Sequence, residues 1–117
     1  MAGRTRISFA VSAVADLEAI RARYAEQHVP EDGERLLREV VVHVERLADF
    51  PESGRVVPEF GLVELREIIH PPFRIVYRID AERVRVVRVW RGERLLELSE
   101  LPLFAYKAPV LYKTHAI

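Results

Sequence analysis

The sequence predicts an α+β domain with element order β-α-α-β-β-β, in which a helix hairpin packs on an antiparallel sheet. Two observations support this fold class. Apolar residues recur at helical spacing in the first half of the chain, and from Val63 onward the hydrophobic period changes to two. A chain of 117 residues has room for one modest core, so residues 1–117 are expected to form a single domain.

The first half is expected to contain one strand and two helices. Residues 4–9 alternate polar and apolar side chains, which indicates a short half-buried strand. Residues 12–28 form a predicted amphipathic helix with Ser12 as its N-cap, and Pro30 and Gly33 are expected to interrupt the chain before the second helix. The second helix has the clearest apolar stripe in the chain. The stripe consists of Leu36, Leu37, Val40, Val41, Val44, Leu47 and Ala48.

Three strand-like runs follow, at residues 63–69, 73–79 and 83–90, and they are rich in valine, isoleucine and aromatic residues. The links between them are too short for crossover helices, so the runs should pair as antiparallel hairpins. Alternation in the middle run puts its aromatic and isoleucine side chains on the face that the helices cover. It puts Arg74 and Arg78 on the opposite face, where we expect them to be exposed to solvent or to a partner.

Two features depart from this regular pattern. The alternation slips at Val86-Val87 in the third run, which indicates a β-bulge or burial on both faces. Residues 95–117 are rich in large apolar side chains, which an unattached terminus would expose to water. We therefore expect the start of this segment to pack against the domain, and the residues beyond Pro102 to complete that packing or to contact another subunit.

The composition excludes several kinds of chemistry. The absence of cysteine excludes disulfides, thiolate metal sites and cysteine nucleophiles. The chain shows no signal-peptide core and no run of about 20 apolar residues, so a cytoplasmic location without membrane contact is expected. The four histidines lack metal-ligand spacing, and Glu39 and His43, four residues apart on the second helix, have no further ligand beside them. We identify no catalytic group, metal site or cofactor.

The arginines are the remaining candidate for function. Residues 1–62 carry a net charge of −3 and residues 63–117 a net charge of +3, and sixteen of the eighteen basic residues are arginine. Arginine suits planar, bidentate contacts with carboxylates and phosphates. Sheet-face arginines that are merely solvated are the alternative interpretation. The candidate target-binding or partner-binding residues are Arg66, Arg74, Arg78, Arg91 and Arg94.

Several segments together resemble a known family. They are Asp16-Leu17 through Ile20 and Tyr24, the second helix with Leu47 and Pro51, Gly54-Arg55-Val56-Val57-Pro58-Glu59, Leu65-Arg66-Glu67-Ile68, Phe73-Arg74-Ile75-Val76-Tyr77-Arg78-Ile79 and Val89-Trp90-Arg91-Gly92-Glu93-Arg94-Leu95-Leu96. In this order and spacing, over roughly residues 4–96, they resemble the RelE/ParE superfamily of toxins from bacterial type II toxin–antitoxin pairs, and the ParE branch in particular. The resemblance implies the same β-α-α-β-β-β fold.

The resemblance also implies two alternative activities. RelE-like members cut mRNA on the ribosome, whereas ParE-like members are understood to inhibit DNA gyrase. Arg74 and Arg94 match arginines of the RNA-cutting members, but their two lysines would fall at Leu65 and Glu67, and their C-terminal tyrosine at about Glu100. A leucine and a carboxylate cannot replace lysines beside a scissile phosphate.

The expectation is therefore a gyrase-directed toxin that acts by binding, with a ribosome-dependent mRNA endonuclease as the alternative. An inactive or differently targeted member is a third possibility. The resemblance implies a ParD-like antitoxin as partner, with contact to DNA only through the toxin–antitoxin complex.

Overall fold

The computed structural model describes residues 5–81 and 83–91. The segment 95–117, whose packing the sequence predicts, and Arg94 lie outside the described residues. The elements in chain order are β1 (Arg6–Phe9), α1 (Val11–Glu26), α2 (Pro30–Glu45), a 3₁₀ turn (Arg46–Ala48), β2 (Arg55–Val56), β3 (Leu65–His70), β4 (Phe73–Asp80) and β5 (Arg83–Arg91). The α+β class and the order of the main elements are as predicted.

The sheet has five strands in the order β1-β5-β4-β3-β2. The hairpins β3-β4 and β4-β5 are antiparallel, as predicted, and the short β2 extends them. The strand β1 pairs in parallel with β5, so the sheet is mixed rather than wholly antiparallel. The connection between β1 and β5 contains the helix hairpin followed by β2 to β4, so it is long enough for the crossover that a parallel pair requires.

The predicted bulge in β5 is confirmed. Tyr77 pairs with Val86 and the preceding Val76 pairs with Arg88, which leaves Val87 as the extra residue. Val86 and Val87 are both fully buried, and they belong to clusters on opposite faces of the sheet. The bulge thus lets two consecutive valines pack into two different cores.

The helix boundaries correct two predictions. Ser12 is not an N-cap, because Ala10 occupies that position and α1 begins at Val11. Pro30 and Gly33 do not interrupt the chain, since α2 begins at Pro30 and includes Gly33. Proline is well tolerated in the first turn, where its missing N–H has no helical acceptor. A Cβ at Gly33 would lie 2.8 Å from Cβ of Tyr24, so this glycine allows the two helices to approach closely.

The first face of the sheet is covered by both helices, as predicted. Side chains from the stripe of α2 meet alternate residues of β4 and β5 in one apolar cluster. Its main members are Leu36, Val40, Val44, Leu47, Phe73, Ile75, Tyr77, Val84, Val86 and Val89. Val41 departs from the predicted stripe, since it is 39% exposed.

The second face of the sheet is not open to solvent, and here the prediction was wrong. A second apolar cluster comprises Val57, Leu65, Val76, Val87 and Trp90, with Phe60 and Leu62 packed against it. The loop between β2 and β3 supplies part of this cover.

No helix in the described ranges 5–81 and 83–91 is long and apolar enough to cross a membrane.

The hydroxyl of Tyr77 anchors the chain between α2 and β2. It donates a hydrogen bond to the carbonyl oxygen of Pro51 at 2.8 Å and accepts one from the backbone N–H of Gly54 at 2.9 Å. Burial raises the pKa of the Tyr77 hydroxyl above its ordinary value. A Cβ at Gly54 would lie 2.6 Å from that oxygen and 2.7 Å from the carbonyl oxygen of Glu67, so this contact requires glycine.

Candidate partner-binding site

Arg74 is a buried structural residue, which contradicts the predicted exposure. Its side chain is 6% exposed. The guanidinium donates from Nε to Oε1 of Glu67 at 2.6 Å, and from Nη1 and Nη2 to the two oxygens of Glu59, both at 2.9 Å. The hydrogen bonds that Arg74 donates to Glu59 raise the pKa of Arg74 well above its ordinary value. Alternation along β4 predicted the correct face, but the β2–β3 loop and β3 cover that face with two carboxylates.

Glu67 is the most deeply buried acid of this network. It is 1% exposed and points to the second face of β3. Its second oxygen accepts a hydrogen bond from Nε of Arg55 at 2.7 Å, while the first binds Arg74. Two guanidinium groups thus hold the carboxylate, as the burial of a charge requires.

The other predicted site residues of the described chain lie in three different places. Arg78 is also buried, at 9% exposure, which again contradicts the prediction, and it pairs in register with Arg85 of β5. Arg66 lies on the opposite face of β3 and donates to the backbone carbonyls of Glu52, Gly54 and Val63. Arg91 is exposed at the end of β5. The structure therefore does not bring the described candidate residues, Arg66, Arg74, Arg78 and Arg91, together on one surface.

A groove of about 360 Å³ lies between α1 and the end of β5, and Arg91 is on its rim. Its cationic side chains are Arg23, Arg88 and Arg91, and its apolar side chains include Ile20, Tyr24 and Phe73. An apolar floor beneath a cationic rim is suited to an amphipathic segment with acidic residues. Among the described residues, this is where a predicted site arginine meets a concave apolar surface.

Two residues of α1 fix one wall of this groove against the edge of β5. Beyond Phe9, β1 no longer pairs with β5. There Ser12 Oγ donates to the carbonyl oxygen of Val87 at 2.7 Å, and Asp16 accepts from the backbone N–H of Val89 at 2.9 Å. The hydroxyl that the sequence suggested as a helix cap is therefore used to satisfy a strand edge.

Asp16 also orients Arg88 within the groove. Its two oxygens accept hydrogen bonds from Nε and Nη2 of Arg88 at 2.7 and 2.9 Å. The guanidinium carbon of Arg88 lies 4.3 Å from the ring centroid of Trp90, which is within cation–π distance. Helix α1 and strand β5 are thus joined by an ion pair and a stacked cation at the centre of the groove.

A second polar group lies on α2 and at the end of β3, and the sequence does not predict it. Nε2 of His43 lies 3.0 Å from Nδ1 of His70, and Nε2 of His70 lies 2.9 Å from Oε1 of Glu39. Burial lowers the pKa of His43, with a further contribution from the charge of His70. The four-residue spacing of Glu39 and His43 on the second helix is visible in the sequence and places two of the three residues side by side. His70 could not be added from the sequence because it is 27 residues away from His43.

The described part of the chain contains no group of three or more histidine and acidic side chains placed to hold a metal ion.

Residues 7–96 match the model of a family described as the ParE toxin of type II toxin–antitoxin system, parDE. The chain belongs to this family. The resemblance seen in the sequence is thereby confirmed, and the match extends from the second residue of β1 through β5, with the residues that line the groove beside α1. The chain is accordingly a toxin of the ParE/RelE superfamily of type II toxin–antitoxin systems.

Two solved structures share the fold of this ParE-family toxin. A chain of the chromosomal ParDE toxin–antitoxin system from P. aeruginosa aligns with a TM-score of 0.64 and 22% identity, over 75% of this chain and 96% of that chain. A chain of the toxin–antitoxin complex RelBE2 from Mycobacterium tuberculosis aligns with a TM-score of 0.57 and 21% identity, over 75% and 98%. At these identities the likeness shows the fold alone. No curated protein sequence is significantly similar to the chain.

Proposed function

We propose that this ParE-family toxin acts in the cytoplasm by binding and inhibiting DNA gyrase, and that a ParD-like antitoxin neutralises it. One observation supports inhibition by binding over RNA cleavage. The position where an RNA-cutting relative would carry a lysine holds Glu67, whose carboxylate is buried and bound by Arg55 and Arg74.

The other positions of an RNA-cutting site point the same way. Leu65, at the second lysine position, is fully buried in the second apolar cluster. Arg74 matches the strand arginine of the RNA-cutting members, but each of its three guanidinium nitrogens donates to a carboxylate of its own chain. Stabilisation of a phosphate transition state requires preorganised donors that face the substrate. Neither Leu65 nor Glu67 can supply one.

The proposed antitoxin contact is the groove between α1 and the end of β5. Of the two solved structures described above, one belongs to a ParDE toxin–antitoxin system and the other is a RelBE2 toxin–antitoxin complex. In this chain, the exposed Arg23 and Arg91 lie beside the apolar floor of the groove, while Arg88 is paired with Asp16. Two exposed cations beside an apolar surface match an acidic amphipathic segment. We propose that contact with DNA is made only through the complex, because the chain itself carries no net charge.

Two assays on the purified full chain separate the candidate activities. In a supercoiling assay with DNA gyrase, we expect inhibition that depends on toxin concentration and is reversed by the protein encoded by the adjoining gene. In ribosome complexes, we expect primer extension to show no cleavage of mRNA. Codon-specific cuts without effect on gyrase would replace this proposal by the RNA-cutting alternative, and the absence of both activities would indicate another target.

A further inference from the structure

The group formed by Glu39, His43 and His70 has no part in the proposed function. It joins the C-terminal half of α2 to the last residue of β3. Nε2 of His43 and Nδ1 of His70 lie 3.0 Å apart, so the two rings share a hydrogen bond in the metal-free chain. The group is accessible, since the side chains of His70 and Glu39 are 20% and 42% exposed.

The placement of the two rings fits a shared metal ion. Two nitrogens each about 2.1 Å from one metal ion, at angles between 90° and 109°, are separated by about 3.0 to 3.4 Å. The observed 3.0 Å separation agrees with this range. The ring centroids are 4.6 Å apart and the planes are inclined by 52°, so the rings converge at an angle and are not stacked. We propose that Nε2 of His43 and Nδ1 of His70 together bind a divalent transition-metal ion.

Glu39 is the outer partner that prepares this site. Its Oε1 accepts the hydrogen bond from Nε2–H of His70 at 2.9 Å. In this tautomer, Nδ1 of His70 carries no proton and accepts a hydrogen bond from Nε2–H of His43 in the metal-free chain. A metal ion that displaces this proton finds both nitrogens already oriented, with neutral His43 protonated at Nδ1 instead. Carboxylates that orient metal-binding histidines in this way are a common feature of metal sites. The other carboxylate oxygen of Glu39 lies 3.8 Å from Nε of Arg35.

The surroundings determine the class of metal and the strength of binding. Both histidines line a depression of about 580 Å³ together with Arg35, Arg38, Glu39 and Val42, which has room for the water molecules that complete the coordination. Imidazole ligands select Zn²⁺, Ni²⁺ or Cu²⁺ over Mg²⁺ and Ca²⁺. With two protein ligands and two neighbouring arginines, the site should bind more weakly than a four-ligand structural zinc site.

Metal binding at this site should stabilise the fold. Because His43 lies on α2 and His70 at the end of β3, the metal ion would connect the helix hairpin to the β3–β4 corner. An ion that binds the folded chain but not the unfolded chain raises the melting temperature as its concentration increases. The melting temperature is thus a readout that does not depend on toxicity or on any target.

The first test is calorimetric titration of the untagged, chelator-treated full chain with ZnCl₂ and with NiCl₂. We expect one ion per chain and a rise in melting temperature. His43→Gln and His70→Gln should each weaken binding by more than about tenfold and abolish the rise in melting temperature, and Glu39→Gln should weaken binding by about tenfold. The matched control is His28→Asn, because asparagine tolerates the positive φ of 65° at that residue. It should leave binding unchanged.

A measurement on the wild-type chain keeps the proposal testable if a variant fails to fold. Histidine ¹⁵N spectra should show that ZnCl₂ changes the signals of Nε2 of His43 and Nδ1 of His70. Three results would overturn the proposal: no binding to the wild-type chain, equal binding by the His43→Gln and His70→Gln variants, or metal-induced changes confined to His28 or His115.

Discussion

The two faces of the sheet are both buried, but they are built from different residues. The first face is covered by two long helices and contains an apolar cluster around Leu47 and Tyr77. The second face combines a smaller apolar cluster with the buried ion pairs of Arg74. Removal of one methyl group from an apolar core lowers the free energy of unfolding by only a part of what that core contributes. Removal of one partner from a buried ion pair leaves an uncompensated charge, so the second face should be the less tolerant of a single change.

The largest expected effect is that of Arg74→Ala. This change leaves Glu67 buried, with Arg55 as its remaining partner among residues 5–81 and 83–91, and releases Glu59 from its bidentate contact. We expect a loss of about 3 to 5 kcal/mol in the free energy of unfolding, measured by urea denaturation. The exposure predicted from the sequence would have implied a change within about 0.5 kcal/mol. A loss that small would show that the ion pairs do not support the second face.

A double variant distinguishes the loss of a charge partner from the loss of packing. In Arg74→Met combined with Glu67→Leu, both buried charges are replaced by apolar side chains of similar size. Such replacements are often neutral or stabilising, so the double variant should be more stable than Arg74→Ala. An equally unstable double variant would indicate that the shape of the Arg74 side chain matters more than its charge.

Leu47→Ala is the corresponding change on the first face. Leu47 is fully buried among the apolar residues of the first cluster. Truncation of a buried leucine costs about 2 to 5 kcal/mol, depending on how far the cavity collapses, and we expect about 3 kcal/mol by urea denaturation. Val42→Ala on α2 is the control, since Val42 is 49% exposed and should change stability by less than about 0.5 kcal/mol. Equal effects of the two variants would contradict the described core.

The difference between the two faces explains which parts of the fold could be predicted from the sequence. The stripe of α2, apart from Val41, and the slip at Val86-Val87 are predicted correctly because each is a local pattern. The stripe records the contact of one helix with one layer, and the slip records burial on both faces of one strand. Alternation in β4 also predicted the correct face for Arg74. It could not predict burial, because Glu59 and Glu67 belong to other segments of the chain and cover the arginine only after folding.

The remaining errors have the same physical origin, since each depends on a contact distant in the sequence. The local position of Ser12 predicts a helix cap, but its hydroxyl donates to the carbonyl oxygen of Val87, 75 residues away. Gly33 was interpreted as a helix breaker, whereas it is the point where α2 packs on Tyr24. His70 gave no signal as a partner for His43 because no local spacing joins a strand end to a helix.

Tyr77→Phe tests the link between the first face and the loop before β2. The variant keeps the ring but leaves the backbone N–H of Gly54 and the carbonyl of Pro51 without their partner. We expect a loss of about 1 to 3 kcal/mol. Since burial raises the pKa of Tyr77 in the folded state, the unfolded chain ionises first as the pH rises through about 10. Wild-type stability should therefore fall above this pH, and the fall should be smaller in Tyr77→Phe.

Arg91→Ala has the smallest expected effect on stability. It tests whether an arginine outside the second face binds a partner. Arg91 is exposed on the rim of the groove beside α1, so its truncation should change the free energy of unfolding by less than about 0.5 kcal/mol. If an acidic antitoxin segment occupies the groove, the same truncation should weaken antitoxin binding by about tenfold, or about 1.4 kcal/mol, in a calorimetric titration.

Arg6→Ala is the matched control for Arg91→Ala. Arg6 is also exposed, but it pairs in register with Arg83 at the opposite end of β5 from Arg91. Its truncation removes the same charge from the chain, so an affinity that depended only on net charge would fall equally in both variants. A loss confined to Arg91→Ala would place the contact in the groove. Unchanged affinity in both variants would mean that the antitoxin binds elsewhere.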